Sequence, residues 1–383
     1  MAGAASARVS ALPPSGIRTI SDRKRPTSID LSIGQPSLRP EIAPFEAATD
    51  WIREHGCPYA PYAGIPELRE RAAQIYGGAR LSDAKNVCVT NGSQEAIYLA
   101  IKTLVEPGKG EVLICNPGYP SYARCCDLEG IARREFALRP EDGFQIRARD
   151  VLEAVRPATR LVIIGSPSNP TGAVMAAAEV DELARGLLDH RLAAPWVLFD
   201  EVYRELIYDG LPYRSITDVY PYGMCVHSLS KSCALTGLRL GFLMAPQEIL
   251  DIAVRAHGLM LMSVSIFGQR VALEFMRSPD RLRAHHGFYV AQSRLMREAA
   301  LAARLDFVEP QGAFYTMVRL PHSWRGRSAD AAISLLDEFD VVTAAGEVFG
   351  SGAGDYLRVS WSASPADVRE GFARIGEFLG RSA

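Results

Sequence analysis

Five short apolar runs recur along the first two thirds of the chain, each followed by a turn and then by a helical pattern. They are NVCVT (86–90), EVLIC (111–115), RLVIIG (160–165), WVLFD (196–200) and MCVHSL (224–229). Runs of this length without polar alternation predict strands buried on both faces, as in a parallel sheet. The segments between them carry helical spacing. AEVDELARGLLDH (178–190) sets Val180, Leu183, Ala184 and Leu187 at i, i+3, i+4 and i+7. SQEAIYLAIKTL (93–104) forms an apolar face from Ile97, Ala100, Ile101 and Leu104. Strand, loop and helix repeated in this way predict an α/β fold, with ligands held at the carboxyl ends of the strands.

After about residue 265 the texture changes. A long helical stretch (roughly 265–303) leads into FVEPQGAFYTMVRLP and later DYLRVSWS, which alternate as half-exposed strands do. The expected division is a large domain over 46–265 and a smaller one over 266–383, to which residues 1–45 contribute an N-terminal arm and part of the small domain. The opening MAGAASARVSALPP is rich in Ala and Ser and lacks the apolar core of a signal peptide, so a loose, partly disordered arm is expected.

Composition narrows the partners. With 48% apolar and 22% charged residues and a net charge of −2, the chain gives no reason to expect nucleic acid or an anionic membrane surface. No apolar run approaches the roughly 20 residues of a spanning helix. The seven cysteines are odd in number and form no CxxC pair, which argues against a disulfide framework and a zinc site. No metal is expected, and a reducing, cytoplasmic compartment fits.

Candidate chemistry gathers at the strand ends. Gly92-Ser93-Gln94 lies where a strand meets a helix; free N–H groups and the helix dipole make this either a phosphate cradle or a plain N-cap at Ser93. Tyr119 and Tyr122, in CNPGYPSY, could stack on a planar ring or pack a turn. Asn169, in GSPSNPTG, could bond a ligand oxygen or serve the turn alone. Asp200 closes a buried strand, where an unpaired carboxylate is costly and calls for a cationic partner. Tyr203 adds a phenol three residues on. In HSLSKSCALTGLRLG (227–241), burial and a neighbouring charge would depress the pKa of Lys231, giving the neutral amine that a Schiff base requires. Arg239 could be that neighbour while holding a phosphate, with Ser228 donating to the same group. Arg358, inside YLRVSW, suits a bidentate carboxylate pair. Together these features describe a pyridoxal phosphate site.

The lysine segment resembles the signature of the class I/II aminotransferases, members of the fold-type I pyridoxal-phosphate enzymes. The match continues in order through LSIGQP (31–36), YAPYAGIPELRE (59–70), TNGSQEA (90–96), NPGYPSY (116–122), SPSNPTG (166–172), DEVY (200–203), QGAFY (311–315) and GEVFG…YLRVS (346–360). The resemblance implies a mostly parallel central sheet flanked by helices, with a smaller α+β domain. It also implies roles. Lys231 would form the Schiff base with pyridoxal 5'-phosphate and then carry the proton. Asp200 would pair the ring nitrogen, Tyr203 and Asn169 the phenolic oxygen, and Tyr119 would stack on the ring. Gly92, Ser93, Gln94, Ser228 and Arg239 would hold the phosphate, and Tyr59 would reach the phosphate of a second subunit in a homodimer. Arg358, Asn169 and the Gly34 backbone would grip the substrate's α-carboxylate.

Three departures qualify the match. Gln94 stands where one aspartate-specific branch has a lysine, Tyr119 where others have tryptophan, and Ala345 where many relatives have proline. The first two favour aromatic or aliphatic amino donors over dicarboxylates; the third suggests a differently shaped loop before Arg358. The glycines of GSGAG (350–354) lack the flanking strand, helix and acidic partner of a dinucleotide loop. The expected reaction moves an α-amino group from an amino acid to a 2-oxo acid, ping-pong through pyridoxamine phosphate. Lyases and synthases that eliminate or cyclise on the same fold, including capreomycidine-type synthases, are the alternative. A regulator built on this fold would need a helix-turn-helix that the short N-terminal arm cannot hold.

Overall fold

The computed structural model describes residues 5–189 and 194–381. After a two-residue strand, β1 (Ile29–Asp30), seven strands build the central sheet. They are β2 (Val87–Thr90), β3 (Glu111–Asn116), β4 (Ala132–Ala137), β5 (Thr159–Gly165), β6 (Trp196–Asp200), β7 (Gly223–Ser228) and β8 (Gly241–Met244). Their spatial order is β2-β8-β7-β6-β5-β3-β4. Every adjacent pair is parallel except the two that involve β8, which runs against both neighbours. Five of these strands, β2, β3, β5, β6 and β7, are the five apolar runs, and they are buried along nearly their whole length.

Two strands escape the pattern. ARREFA forms β4, an edge strand with mostly exposed or half-buried side chains, where charge costs nothing. GFLM forms β8, four residues long and directly behind the lysine segment. Its reversed direction brings Arg239, two residues before it, to the edge where β2, β3, β5, β6 and β7 end.

The helix Ala177–Asp189 buries Val180, Leu183, Ala184 and Leu187, as the spacing predicts; His190, at the end of that pattern, lies outside the described residues. The expected stretch 265–303 divides into three helices, Ile266–Met276, Pro279–Arg283 and His286–Ala302. Pro279 starts the second because a proline cannot continue the first but suits a first turn. Beyond them, β9 (Tyr315–Arg319), β11 (Ala344–Ala345) and β12 (Tyr356–Ser360) form an antiparallel sheet in the order β11-β12-β9. Between these, β10 (Val341–Val342) pairs in parallel with β1, joining the start of the chain to its last third.

Residues 1–4 of the N-terminal arm lie outside the described residues. The rest of the arm is ordered by contacts: Arg8 donates to the Glu129 carbonyl at 3.0 Å, and Arg124 donates to the Pro14 carbonyl at 2.9 Å. A short helix, Gly16–Ser21, follows and buries Ile20 and Ser21. The GSGAG glycines dock on the end of β3, where Gly352 N–H donates to Asn116 Oδ1 at 3.0 Å.

Candidate active site

The carboxyl ends of β2, β3, β5, β6 and β7 open into a cavity of about 340 Å³. Gly34, Ser93, Gln94, Tyr119, Asn169, Asp200, Tyr203, Lys231, Arg239 and Arg358 all line it. The motifs lie far apart in sequence, and the shared edge of one parallel sheet brings them together.

The helix Ser93–Leu104 points its N-terminus at this cavity. Its N-cap is Gly92, at φ 80°, and no side chain caps the first turn. Ser93 is therefore a helical residue lining the cavity, and the simple N-cap reading of it fails. A Cβ on Gly92 would lie 2.5 Å from Arg239 Nη2, so glycine lets the guanidinium approach the helix terminus. A bare helix N-terminus beside a guanidinium is a strong site for a phosphate.

Lys231 also lines the cavity, and its Nζ donates to the Gly34 carbonyl at 2.6 Å. Burial, with Arg358 and Arg239 nearby, lowers its pKa to about 8; Asp200 acts against this. At pH 7 such an amine is neutral in ~10% of molecules, against ~0.03% for an ordinary lysine. Asp200 is buried, which raises its pKa to about 6 even though Tyr122 Oη donates to Oδ2 at 2.9 Å and Val202 N–H donates to Oδ1.

Arg358 is 2% exposed. It donates to Asn169 Oδ1 at 3.2 Å and to the Ser32 carbonyl. Its guanidinium carbon lies 4.4 Å from the Tyr315 ring and 4.9 Å from the Phe349 ring, while its Nε has no partner. Among the described residues no carboxylate pairs with Arg358, Arg239 or Lys231. A buried arginine without a counter-ion is costly unless a ligand supplies one.

Three expected residues are not on the cavity wall: Gly92, which acts as the N-cap beside Arg239, and Ser228 and Tyr59. The Ser228 hydroxyl is turned inward, within hydrogen-bonding distance of the Leu240 carbonyl and of Ser230 Oγ, both at 2.9 Å. Tyr59 is 82% exposed on the outer surface. Conversely, several contributors carry no sequence signal for their place. Tyr315 Oη lies 3.0 Å from Tyr203 Oη, whereas Tyr122, a stacking or turn-packing candidate in the sequence, instead donates to Asp200. Ser15, Ile17, Arg18 and Ser21 reach the cavity from the helix and turn near the N-terminus. A tyrosine in QGAFY or an arginine in an Ala/Ser-rich arm gains its meaning only from tertiary packing.

Comparison with known proteins decides the family. The model of the family "Aminotransferase class I and II" matches residues 26–375. The chain belongs to the class I and II aminotransferases. This family depends on pyridoxal phosphate, and the chain has aminotransferase activity as its function. It is 32% identical to a probable N-acetyl-LL-diaminopimelate aminotransferase of Bacillus subtilis, over 95% of this chain and 93% of that one. It is 30% identical to an aspartate aminotransferase of Pyrococcus horikoshii, over 97% and 96%. The aspartate aminotransferase of Thermus thermophilus, solved with maleate, superposes with a TM-score of 0.89 at 27% identity, covering 98% of this chain and 100% of that one.

The residues of this aminotransferase fit the family's cofactor. The uncapped helix and Arg239 suit a phosphate, Asp200 lacks a cation, and Lys231 is a buried amine of lowered pKa. Among the described residues no helix is long and apolar enough to cross a membrane.

Proposed function

We propose that this aminotransferase binds pyridoxal 5'-phosphate at the ends of β2, β6 and β7 and transfers the α-amino group of an amino acid to a 2-oxo acid there. The observation that carries the reading is that Lys231, Arg239 and Arg358 stand without carboxylate partners beside Asp200, a buried carboxylate with no ion-pair partner. Ser93, Gln94 and Arg239 would hold the phosphate, Asp200 the ring nitrogen, Tyr203 and Asn169 the phenolic oxygen, and Tyr119 the ring face. The cofactor, when bound, supplies the electron sink that stabilises negative charge at the substrate's α-carbon.

The chain's own residues supply the rest. Arg358 takes the α-carboxylate, and its aromatic sandwich holds the guanidinium plane in place. The neutral fraction of Lys231 accepts the α-proton, and its tether to the Gly34 carbonyl limits where the amine can travel. Burial of Asp200, Tyr203 and Arg358 keeps bulk water from the reacting carbon.

The same reading assigns residues 46–265 to a large cofactor-binding domain, with 1–45 and 266–383 forming the smaller part. It also makes the protein a homodimer. Tyr59, Tyr62 and Leu259–Met262 form an exposed apolar region, in which Tyr62 packs against Gly258. A second copy covering that region would bring Tyr59 to its phosphate site.

The test is amino transfer from a panel of amino acids to 2-oxo acids by the purified holoenzyme. New amino acid should form in step with consumption of the donor, and Lys231→Ala should lower the rate more than ~1000-fold. Release of ammonia, or a cyclised product, without need of an acceptor acid would instead favour the lyase and synthase chemistry.

A further inference from the structure

Four cationic side chains line the cavity, and the proposed reaction accounts for three of them. Lys231 serves the amine chemistry, Arg239 the phosphate and Arg358 the α-carboxylate. The fourth is Arg18, on the short helix Gly16–Ser21. Among the described residues its guanidinium has neither a hydrogen-bond nor an ion-pair partner. Asp200, the single carboxylate on the cavity wall, is held by Tyr122.

The helix that carries Arg18 is tied to the α-carboxylate site. Ile20 and Ser21 are buried, and Gly16 lies so close to Val348 that a Cβ there would come within 2.6 Å of Cγ2. Val348 adjoins Phe349, whose ring stacks on Arg358. Arg18 therefore stands over the mouth of the cavity, supported by the segment that fixes Arg358. Ser15, Ile17 and Ile33 line the same cavity.

Gln94, whose position carries a lysine in one aspartate-specific branch, is otherwise engaged. Its Oε1 accepts from Tyr119 Oη at 3.2 Å and its Nε2 lies 3.4 Å from Cys125 Sγ. Loss of a cation at that position removes one possible receptor for a second acid group, and Arg18 supplies another from a different element.

Resting on the aminotransferase reading, we propose that Arg18 receives the distal carboxylate of a dicarboxylic substrate, so that the enzyme accepts amino dicarboxylic acids and the matching 2-oxo diacids. Two guanidinium groups, one buried and one at the mouth, then read the two ends of the substrate. This runs against the preference for aromatic or aliphatic donors that Gln94 and Tyr119 suggest in isolation. The charged contact lies at a solvent-exposed mouth, so its effect is moderate and weakens with added salt.

The test compares amino dicarboxylic acids of four to six carbons with aromatic and aliphatic amino acids, using holoenzyme. Arg18→Ala should raise KM for the best dicarboxylic donor about 10-fold with kcat nearly unchanged, and alter the aromatic and aliphatic donors less than about 2-fold. Arg18→Lys should recover most of the loss, and Arg18→Glu should deepen it. Equilibrium binding of a saturated dicarboxylic acid lacking the amino group, followed by calorimetry, should weaken about 10-fold in Arg18→Ala, while a monocarboxylic acid of equal length should not change. Equal losses for both substrate classes, no loss for either, or a wild-type enzyme that ignores dicarboxylic acids would overturn the assignment of Arg18. In those cases transfer from aromatic or aliphatic donors still upholds the aminotransferase reading. Transfer from no donor at all would overturn both.

Discussion

Asp200 and Glu201 are consecutive, both buried and both acidic, yet they belong to two different regions of the molecule. Glu201 faces a closed cluster. Its Oε2 lies 3.0 Å from His227 Nε2 and 3.5 Å from Arg204 Nη1, and Ser215 Oγ donates to Oε1 at 2.5 Å. Burial raises its pKa, but His227, Arg204 and Ser215 outweigh it and the net shift is downward. Asp200 faces the cavity with only a phenol and one N–H, and burial wins. The protein pairs one carboxylate with its own charged residues and leaves the other with no ion-pair partner. An incompletely satisfied group in a cavity is the physical mark of a site, because evolution accepts its cost only where function uses it.

Substitution of the two acids should separate these regions. Asp200→Asn should lower amino transfer by about 100-fold or more, since the ring nitrogen loses its counter-charge. Its effect on the apo-protein should be the reverse. A carboxyl whose pKa rises on folding loses stability as pH climbs from its unfolded value towards about 6. Removing it should therefore stabilise the apo-protein above pH 6 by up to ~3 kcal/mol, a gain that vanishes below about pH 4. Glu201→Gln should instead destabilise by ~3 kcal/mol at neutral pH, because Arg204 is left without a counter-charge in the buried cluster. Denaturant unfolding of both variants across pH 4–8 checks the signs. Loss of stability in both would erase the distinction between the regions.

Arg358→Leu probes the ligand-dependent region from the substrate's side. It should raise KM for every amino acid donor by about 30-fold, with a smaller effect on kcat, as steady-state kinetics would show. The smallest effect expected concerns Lys231 itself. In the apo-protein its reaction with an amine-specific acylating reagent should rise with pH to a midpoint of about 8. Arg239→Leu should move that midpoint upward by less than about one pH unit, since a neighbouring positive charge is removed.

The same contrast explains what the sequence could reveal. Strands β2, β3, β5, β6 and β7 were legible because burial on both faces leaves an unbroken apolar run, even for β2 at one edge of the sheet. The interior β8 is only four residues long and sits inside the lysine segment, and β4 carries Arg133, Arg134 and Glu135 on the other edge and reads as loop. Residues such as Lys231, Asp200, Arg358 and Gly92 were legible because their chemistry is out of place at a buried strand end or in a tight turn. Tyr315 and Arg18 were not, since a phenol or a surface arginine is ordinary until the fold sets it against Tyr203 or the cavity mouth; Tyr122 was a candidate for stacking or turn packing, but its contact with Asp200 was not foreseen. Ser228 shows the opposite limit: a hydroxyl in the right motif is spent on Leu240 and Ser230.

The central claim is that Lys231 is the amine the cavity is built around. Borohydride reduction of the protein saturated with pyridoxal 5'-phosphate, followed by proteolysis and peptide mass spectrometry, tests it directly. The account predicts a single stoichiometric pyridoxyl group on Lys231 and none at that site when Lys231 is replaced by alanine. Stoichiometric modification of any other lysine, or no modification of Lys231, would contradict it.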